Sequence, residues 1–380
     1  MSCPLPLEAL PKPLHKHVDP KAPAPLRMMG AKGLVPAVSA PDLAVMLYFL
    51  SFDEDGGVRE AAERTAAGLP DRIFGVALRA EGLPAPVLDW MSLRLGANET
   101  ALELVLLNPA TSDETVARLA ATVSQKLTEL VRQNELRLLR HDEIIRQLCR
   151  NPNALVSTLD GACDFCVRNG LTLLDVPQLI AAHRRVHGAD PAAAGAEDTA
   201  AGLLGEFGHV LAAEEPPAAS RAPARPEDPA AALEKLNVTQ RILRMSVSQK
   251  IKLATLGNKE ARTILLRDSN KLVCMAAATS PRITDLEILG LANSRTVNAD
   301  VLRYVYNNRE FLRTYPIKLA LVKNPKVPLP TALKMLFTLQ EKDIKELSRD
   351  RNVPQTIQSQ AKAFLMKKEQ AARSSMDGKH

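Results

Sequence analysis

Apolar residues recur at intervals of three and four along most of this chain, which is the spacing of one face of an α-helix. From Asp42 onward, Leu43, Met46, Leu47 and Leu50 fall on one such stripe. In the second half the same periodicity predicts a series of short helices: Val247–Leu256, Ala261–Leu266, Val273–Ala278, Asp285–Ala292, Asp300–Asn307, Ile317–Val322, Pro330–Leu339, Asp343–Leu347 and Gln355–Met366. Because isolated helices of about 6–12 residues are unstable in water, we expect these to be stabilised by stacking on their neighbours.

Short proline-containing turns separate the apolar stretches at a nearly constant spacing. Two pairs of turns lie 43 and 44 residues apart: Asn108-Pro109 with Asn151-Pro152, and Ser280-Pro281 with Asn324-Pro325. Each turn is predicted to end one helix and to lead into the next. A period of about 40–47 residues that carries two or three helices is typical of HEAT and armadillo arrays. The pattern therefore predicts an all-α protein, an α-solenoid of short HEAT-like helical repeats in two arrays.

Composition and local signals agree with helices. The chain is 46% hydrophobic but only 3% aromatic, a mixture that strands do not favour. Two capping boxes are predicted, one at Thr111 with Glu114 and one at Thr284 with Glu287. The stretch from Val116 to Ile145 contains no Gly or Pro and is predicted to be strongly helical.

Changes in composition divide the chain into five segments. Residues 1–38 are rich in proline and are predicted to form a disordered arm, followed by an N-terminal helical HEAT-like array at 39–187. Residues 188–232 are rich in Ala and Pro and are predicted to be a linker. A C-terminal basic HEAT-like array is expected at 233–368 and a flexible tail at 369–380.

Four segments in the last 140 residues share a pattern: Lys250-Ile251-Lys252-Leu253-Ala254, Leu265-Leu266-Arg267-Asp268-Ser269-Asn270, Ile317-Lys318-Leu319-Ala320-Leu321 and Ser348-Arg349-Asp350-Arg351-Asn352-Val353-Pro354. On these segments the last 140 residues resemble bacterial HEAT-like, leucine-rich-repeat-variant α-solenoids, a family of uncharacterised repeat proteins. The resemblance covers residues 236–366 well and residues 42–187 loosely. It implies a fold and carries no activity with it.

The net charge of +6 conceals a division between the two halves. Residues 234–380 carry 27 Lys and Arg against 13 Asp and Glu, a balance of +14, whereas residues 1–233 carry 22 against 30, a balance of −8. Such asymmetry indicates that the basic half has an acidic partner, or that the two halves face each other.

Few residues are candidates for metal binding or catalysis. Cys163 and Cys166 form a C-x-x-C pair that could bind zinc together with Cys149 and His141, but these cysteines are more simply read as buried structural residues in a helix. His183 and His187 are expected at a helix C-terminus. Phosphate-binding glycine loops and nucleophile motifs do not occur in the sequence. We therefore expect no cofactor, no metal, no small-molecule substrate and no enzymatic activity.

A ladder of Asn and basic residues at successive turns is the candidate partner-binding site. In a solenoid these turns would align along one edge and could hold acidic side chains, phosphates or a peptide backbone. The alternative is that these residues only cap helices. The candidates are Arg267, Asn270, Asn308, Arg309, Lys323, Asn324, Arg349, Arg351 and Asn352.

The predicted function is a non-catalytic scaffold or adaptor that binds a protein partner, with an acidic surface, through the second array. The alternative is a nucleic-acid-binding module that uses the same basic array, although aromatic residues for base stacking are few. A HEAT-like DNA glycosylase is a third reading, and it would need a positioned carboxylate and an aromatic clamp. Five cysteines, no secretory signal pattern and no apolar run of membrane-spanning length predict a cytoplasmic protein without a membrane span.

Overall fold

The computed structural model describes residues 3–96, 98–188, 191, 237–350 and 352–377. Every element of regular secondary structure in these ranges is a helix, which confirms the predicted all-α class. The chain divides into two compact units: unit 1 is Met1–Phe165 with Asp175–Ala189, and unit 2 is Cys166–Leu174 with Asp190–His380. Apart from Gly188 and Pro191, the predicted linker 188–232 lies outside the described residues.

Unit 1 is built from consecutive short helices. They are α1 (Ala24–Ala31), α2 (Ala40–Leu50), α3 (Gly56–Ala67), α4 (Asp71–Ala77), α5 (Ala85–Arg94), α6 (Glu99–Leu107), α7 (Asp113–Ala120), α8 (Gln125–Gln133), α9 (Glu135–Arg140), α10 (Asp142–Arg150), α11 (Val156–Arg168), which begins in unit 1, and α12 (Pro177–His187).

The proline-rich segment, predicted to be a disordered arm, contains short helical elements between residues 3 and 38. Two of them are the 3₁₀ turns Leu7–Ala9 and Lys12–His17, which precede α1. Several prolines lie just before or at the first positions of these elements, where a missing N–H group costs nothing. Leu10 and Leu14 of this segment are buried.

The predicted helix from Val116 to Ile145 is divided into parts of four helices, α7 to α10. The breaks contain no Gly or Pro, and Ser124, Asn134 and His141 occupy the N-cap positions of α8, α9 and α10. Of these three, only Asn134 caps its helix with its side chain, which accepts the N–H of Arg137. The predicted capping box at Thr111 is wrong by one residue. Ser112 is the N-cap of α7, and the hydroxyl of Thr111 donates instead to the carbonyl of Val105.

Unit 2 repeats the same construction. Its helices are α13 (Asn237–Arg244), α14 (Val247–Leu256), α15 (Lys259–Leu265), α16 (Lys271–Ala278), α17 (Asp285–Asn293), α18 (Ala299–Asn307), α19 (Tyr315–Lys323), α20 (Leu329–Leu336), α21 (Glu341–Leu347) and α22 (Gln355–Asp377). These bounds lie close to the predicted ones, and the capping box of Thr284 with Glu287 is confirmed. The tail differs, since α22 continues to Asp377 through residues expected to be flexible.

Three Asn-Pro turns share one hydrogen-bonded geometry. Asn108, Asn151 and Asn324 are buried and have ψ angles of 124°, 117° and 120°, the extended conformation that a following proline favours. Each side-chain amide donates to two backbone carbonyls at or just beyond the end of an earlier helix, over 2.7–3.1 Å. Each Oδ1 accepts the N–H two residues further on. The turn thus satisfies carbonyls that a helix end leaves open.

The Ser280-Pro281 turn does not make these side-chain hydrogen bonds. Ser280 is buried, but its hydroxyl has no hydrogen-bond partner among the described residues. The exposed Arg282 reaches the carbonyl of Leu256 at the end of α14 instead, at 3.4 Å. All four turns end one helix and lead into the next, as predicted, but the shorter serine side chain cannot make the hydrogen bonds that asparagine makes.

Within each unit, substantial contact between helices is confined to elements that are close in chain order. In unit 2, α14 packs on α16, α16 on α18, and α17 on α19, while neighbours such as α19 and α20 also touch. Small buried residues allow this close approach, among them Ala276, Ala277 and Ala278 of α16. Among the described residues, each of these helices therefore packs mainly against elements close to it in chain order.

Candidate functional site

The predicted ladder residues of unit 2 occupy turns, but they do not converge on one site. Arg267 follows α15, Asn308 and Arg309 follow α18, and Arg349 follows α21. Arg267, Arg309 and Arg349 are exposed. Arg351 lies outside the described residues.

The asparagine side chains of the ladder mainly form hydrogen bonds with the backbone of the protein itself. Asn270 is the N-cap of α16, and its Oδ1 accepts the N–H of Leu272 at 2.8 Å. Asn308 caps the end of α18, and its Oδ1 accepts the N–H of Glu310. Asn324 is buried and commits its amide to the carbonyls of Ala292 and Ser294. These residues have the capping role that was the alternative to partner binding, and Asn324 in particular presents no side-chain surface to a partner.

Three ladder residues share one cavity of about 170 Å³ between the ends of α17, α19 and α21. Lys323, Asn324 and Asn352 line it together with Arg295 and Asp350. Lys323 Nζ lies 3.2 Å from a carboxylate oxygen of Glu346, and Arg295 donates to the carbonyl of Asn352 at 3.2 Å. Because both cations already have partners and Asp350 adds a negative charge, this cavity is a poor anion site.

A second cavity, of about 140 Å³, lies in a groove between α15 and α17, which we call the α15–α17 groove. Its walls are apolar, with Leu266, Leu291 and Val297 buried and Leu286 69% exposed. Of the predicted ladder, only Arg267 lines this groove. The apolar wall was missed because its residues come from two helices and a loop, and an exposed leucine is common in any surface helix.

Glu287, which lines the groove, belongs to a buried ion pair that joins α15 to α17. Arg262 and Glu287 have side chains 5% and 2% exposed, and Arg262 Nε lies 3.1 Å from Glu287 Oε1. Arg262 also donates to the carbonyl of Gly257, and Glu287 accepts from the backbone and the hydroxyl of Thr284. All the charged atoms are thus paired inside the chain, and the pair fixes the spacing of the two groove helices.

Surface cations without a carboxylate partner are more numerous in unit 2 than in unit 1. In unit 1, every Lys and Arg from Arg94 to Arg146 pairs with a carboxylate. Eight other described cations of unit 1 have none within 4.0 Å: Lys12, Lys16, Lys21, Lys32, Arg59, Arg72, Arg79 and Arg150. In unit 2, fifteen cations have no carboxylate within 4.0 Å among the described residues: Arg168, Arg244, Lys259, Arg267, Arg282, Arg295, Arg309, Arg313, Lys318, Lys326, Lys334, Lys342, Arg349, Lys362 and Lys367. The unneutralised positive charge predicted from composition therefore lies on the described surface of unit 2.

The cysteine candidates lie in two adjacent helices, α10 and α11. Cys149 Sγ is 3.7 Å from Cys163 Sγ, and Cys163 and Cys166 are fully buried. The contact with Cys163 lowers the pKa of the Cys149 thiol, against the effect of burial. Within the described part of the chain, no group of three or more His, Cys, Asp or Glu residues is placed to hold a metal ion.

Phe311 and Tyr315, two aromatic residues of unit 2, make contacts within the protein. Phe311 is buried and lies edge-on to Tyr304, with ring centroids 6.1 Å apart. The hydroxyl of Tyr315 donates to Asp343 and accepts from the N–H of Gln340, and burial together with Asp343 raises the pKa of this phenol. Phe311 and Tyr315 are therefore held by the protein itself and are not arranged as a platform for bases.

Comparison with known protein families, with curated proteins and with solved structures gives no match to this chain. None of the described helices is both long enough and apolar enough to cross a membrane. The function of this protein is therefore inferred from the geometry and the charge of its two units.

Proposed function

We propose that this protein is a non-catalytic scaffold or adaptor, in which unit 2 binds an acidic surface of a protein partner. The observation that carries the proposal is the set of exposed cations in unit 2 that have no carboxylate partner among the described residues. Unpaired surface charges of one sign attract a partner of the opposite sign and raise the rate of encounter.

The repeat architecture supports the same reading. We infer an α-solenoid of HEAT-like repeats in two arrays, because substantial helix contacts join only elements close in chain order and because one Asn-Pro turn geometry recurs in both units. Such arrays present an extended surface of successive helices and turns, and they act by binding. The exposed residues Arg267, Arg309 and Arg349 lie at three turns of this surface.

Affinity capture with the full chain, followed by identification of the bound protein, tests the proposal. Arg267→Glu and Arg349→Glu should each reduce the captured amount several-fold while the unfolding midpoint stays unchanged, because exposed charges contribute only ~0–1 kcal/mol to stability. Arg72→Glu is the matched control, since Arg72 is exposed in unit 1 and has no carboxylate partner among the described residues. Equal capture by all three variants would contradict a role for unit 2.

Nucleic-acid binding is the alternative, since unpaired cations also suit phosphates. It predicts that random duplex binds the full chain and that affinity falls steeply with salt, because bound phosphates release counterions. The scaffold proposal predicts a specific protein complex that survives at salt concentrations where duplex has dissociated.

A further inference from the structure

The α15–α17 groove has the size and wall of a pocket for a single side chain. Its volume of about 140 Å³ is close to that of a cavity able to admit a benzene-sized group. Leu266, Leu291 and Val297 form buried parts of its wall, so an apolar side chain placed there loses contact with water on several sides.

Leu286 is the exposed part of this wall. It lies in the first turn of α17, where its side chain is 69% exposed, although the neighbouring Glu287 and Ile288 are buried. A leucine at the mouth of an apolar pocket extends the surface that a bound side chain could cover.

Gly290 leaves space in the wall of the groove, although a glycine lowers the stability of the helix that contains it. It lies inside α17, where glycine is less favourable than alanine because it loses more conformational freedom on folding. A Cβ atom built on Gly290 meets no other atom of the described structure within 4 Å, so packing inside the chain does not require a glycine here. The open space belongs to the groove.

The groove carries positive charge on its lining. Lys259 and Arg267 both line it, both are exposed, and neither has a carboxylate within 4.0 Å among the described residues. The only carboxylate in the lining, Glu287, is already paired with Arg262. An apolar pocket with two unneutralised cations is complementary to an apolar side chain flanked by carboxylates.

We propose that the α15–α17 groove receives one large apolar side chain of an acidic segment in the partner protein. The groove holds the apolar side chain against Leu286 and Leu291, and Lys259 and Arg267 pair with carboxylates on either side of it. This inference rests on the proposed scaffold function and names the place on unit 2 and the partner chemistry.

The probe is a fluorescent peptide of about 15 residues with one central Leu, Glu at the positions that flank it and Ala elsewhere. Its binding to the full chain is followed by fluorescence anisotropy. Binding should be lost when the Leu of the peptide is replaced by Ala, and also when Glu is replaced by Lys. Failure of the wild-type protein to bind the acidic Leu peptide, or equal binding of the Ala-substituted peptide, would overturn the proposal.

Substitution at Gly290 separates binding from folding. Gly290→Ala should leave the unfolding midpoint unchanged or higher and weaken peptide binding, and Gly290→Leu should weaken it at least about tenfold by filling the groove. Gly75→Ala is the control, because Gly75 is a helical glycine of unit 1 whose added Cβ would meet only the end of Arg79, at 4.0 Å. Unchanged peptide affinity in both Gly290 variants would contradict the groove, and Gly290→Ala decides if Gly290→Leu does not fold.

Charge reversal tests the second half of the proposal. Lys259→Glu and Arg267→Glu should weaken the peptide about tenfold at low salt and less at high salt, because salt screens exposed charges. Arg309→Glu, at a turn that does not line the groove, should not change the affinity. If Arg309→Glu weakens binding as much as Arg267→Glu, the charge attraction is general and the groove is not its site.

The remaining outcomes distinguish this inference from the proposed function. If the captured partner depends on Arg349 but not on Gly290, unit 2 binds its partner and the groove assignment is wrong. If Gly290→Leu converts a dimer of this chain into a monomer in analytical ultracentrifugation, the groove is occupied by a second copy, and the proposed acidic partner segment is wrong. Displacement of the peptide by random duplex would assign the basic lining to nucleic acid.

Discussion

Units 1 and 2 share a way of joining helices but differ in how they use charge. In unit 1 the cations of α5 to α10 link successive helices through ion pairs such as Arg118–Asp89 and Arg146–Asp175. In unit 2 most of the surface cations make no such pair among the described residues, as Arg309 and Arg349 illustrate. The difference is one of degree: fifteen described cations of unit 2 have no carboxylate within 4.0 Å, against eight in unit 1.

The largest expected effect concerns the buried arginines, one in each unit. Arg262→Met in unit 2 should destabilise the protein by about 3–5 kcal/mol, because it leaves the carboxylate of Glu287 buried without a cation. Arg137→Met in unit 1 should cost less, since Asp113 would keep its ion pair with Arg140. Urea unfolding of the full chain, followed by circular dichroism, measures both.

A double variant distinguishes the cost of the unpaired charge from the cost of the lost packing. The double variant Arg262→Met/Glu287→Gln removes both charges and leaves a polar amide that can still cap Thr284, so it should recover more than half of the loss. If the double variant is no more stable than Arg262→Met alone, the cost comes from the lost hydrogen bond to Gly257 and not from the unpaired carboxylate.

The Asn-Pro turns should come next in size, and they should behave alike in the two units. Asn151→Ala and Asn324→Ala are each expected to cost about 2–4 kcal/mol, because two buried carbonyls lose their donors. Ser280→Ala should be close to neutral, since the Ser280 hydroxyl has no partner to lose. A loss at Ser280 equal to that at Asn324 would mean that the turn, and not the amide, provides the stability.

The sequence predicts features that depend on residues close together in the chain, and it does not predict contacts between residues far apart in the chain. Helix bounds such as Val247–Leu256 and the cap at Thr284 are specified by neighbouring residues, so periodicity and capping signals identify them. The spacing of the prolines locates the turns, but not that Asn108 binds carbonyls 28 and 30 residues earlier.

The candidate surface was only partly predictable. The net charge of the second half predicts an acidic partner, and the sequence pattern predicts that Arg267 lies at a turn. The α15–α17 groove, however, depends on how α15 and α17 pack against each other, which the sequence pattern does not specify. The ion pairs between repeats in unit 1 join residues 21–31 positions apart, and no local pattern specifies them. The short helical elements within residues 3–38 have no local pattern either, since proline-rich composition predicts an extended segment.

A smaller effect should distinguish paired from unpaired surface charge. Arg118→Glu in unit 1 places a new carboxylate beside Asp89 and should cost about 1 kcal/mol, while Arg349→Glu in unit 2 should cost close to zero. Thermal unfolding of the two variants at low salt provides the comparison. Equal destabilisation would remove the distinction between the charge patterns of the two units.

The smallest effect is an acid dependence within unit 2. Pairing with Lys368 and Lys345 lowers the pKa of Glu341 to about 2, below its ordinary value of 4.5. A carboxyl group with a lowered pKa in the folded state stabilises the protein above its unfolded pKa, and this contribution is lost as the pH falls from about 4.5 toward 2. Glu341→Gln should therefore flatten the decline of the melting temperature over this pH range, and an unchanged pH profile would show that the exposed pair contributes nothing.

Hydrogen–deuterium exchange of the full chain, with and without the acidic Leu-containing peptide, tests most directly whether unit 2 carries the partner surface. The account predicts slower exchange at amides of α15 and α17 when the peptide is bound, with no change in α5 to α10 of unit 1. Gly290→Leu should abolish that protection. Protection that appears in unit 1, or in neither unit at saturating peptide, would contradict the assignment of the unpaired cations and the α15–α17 groove to a binding partner.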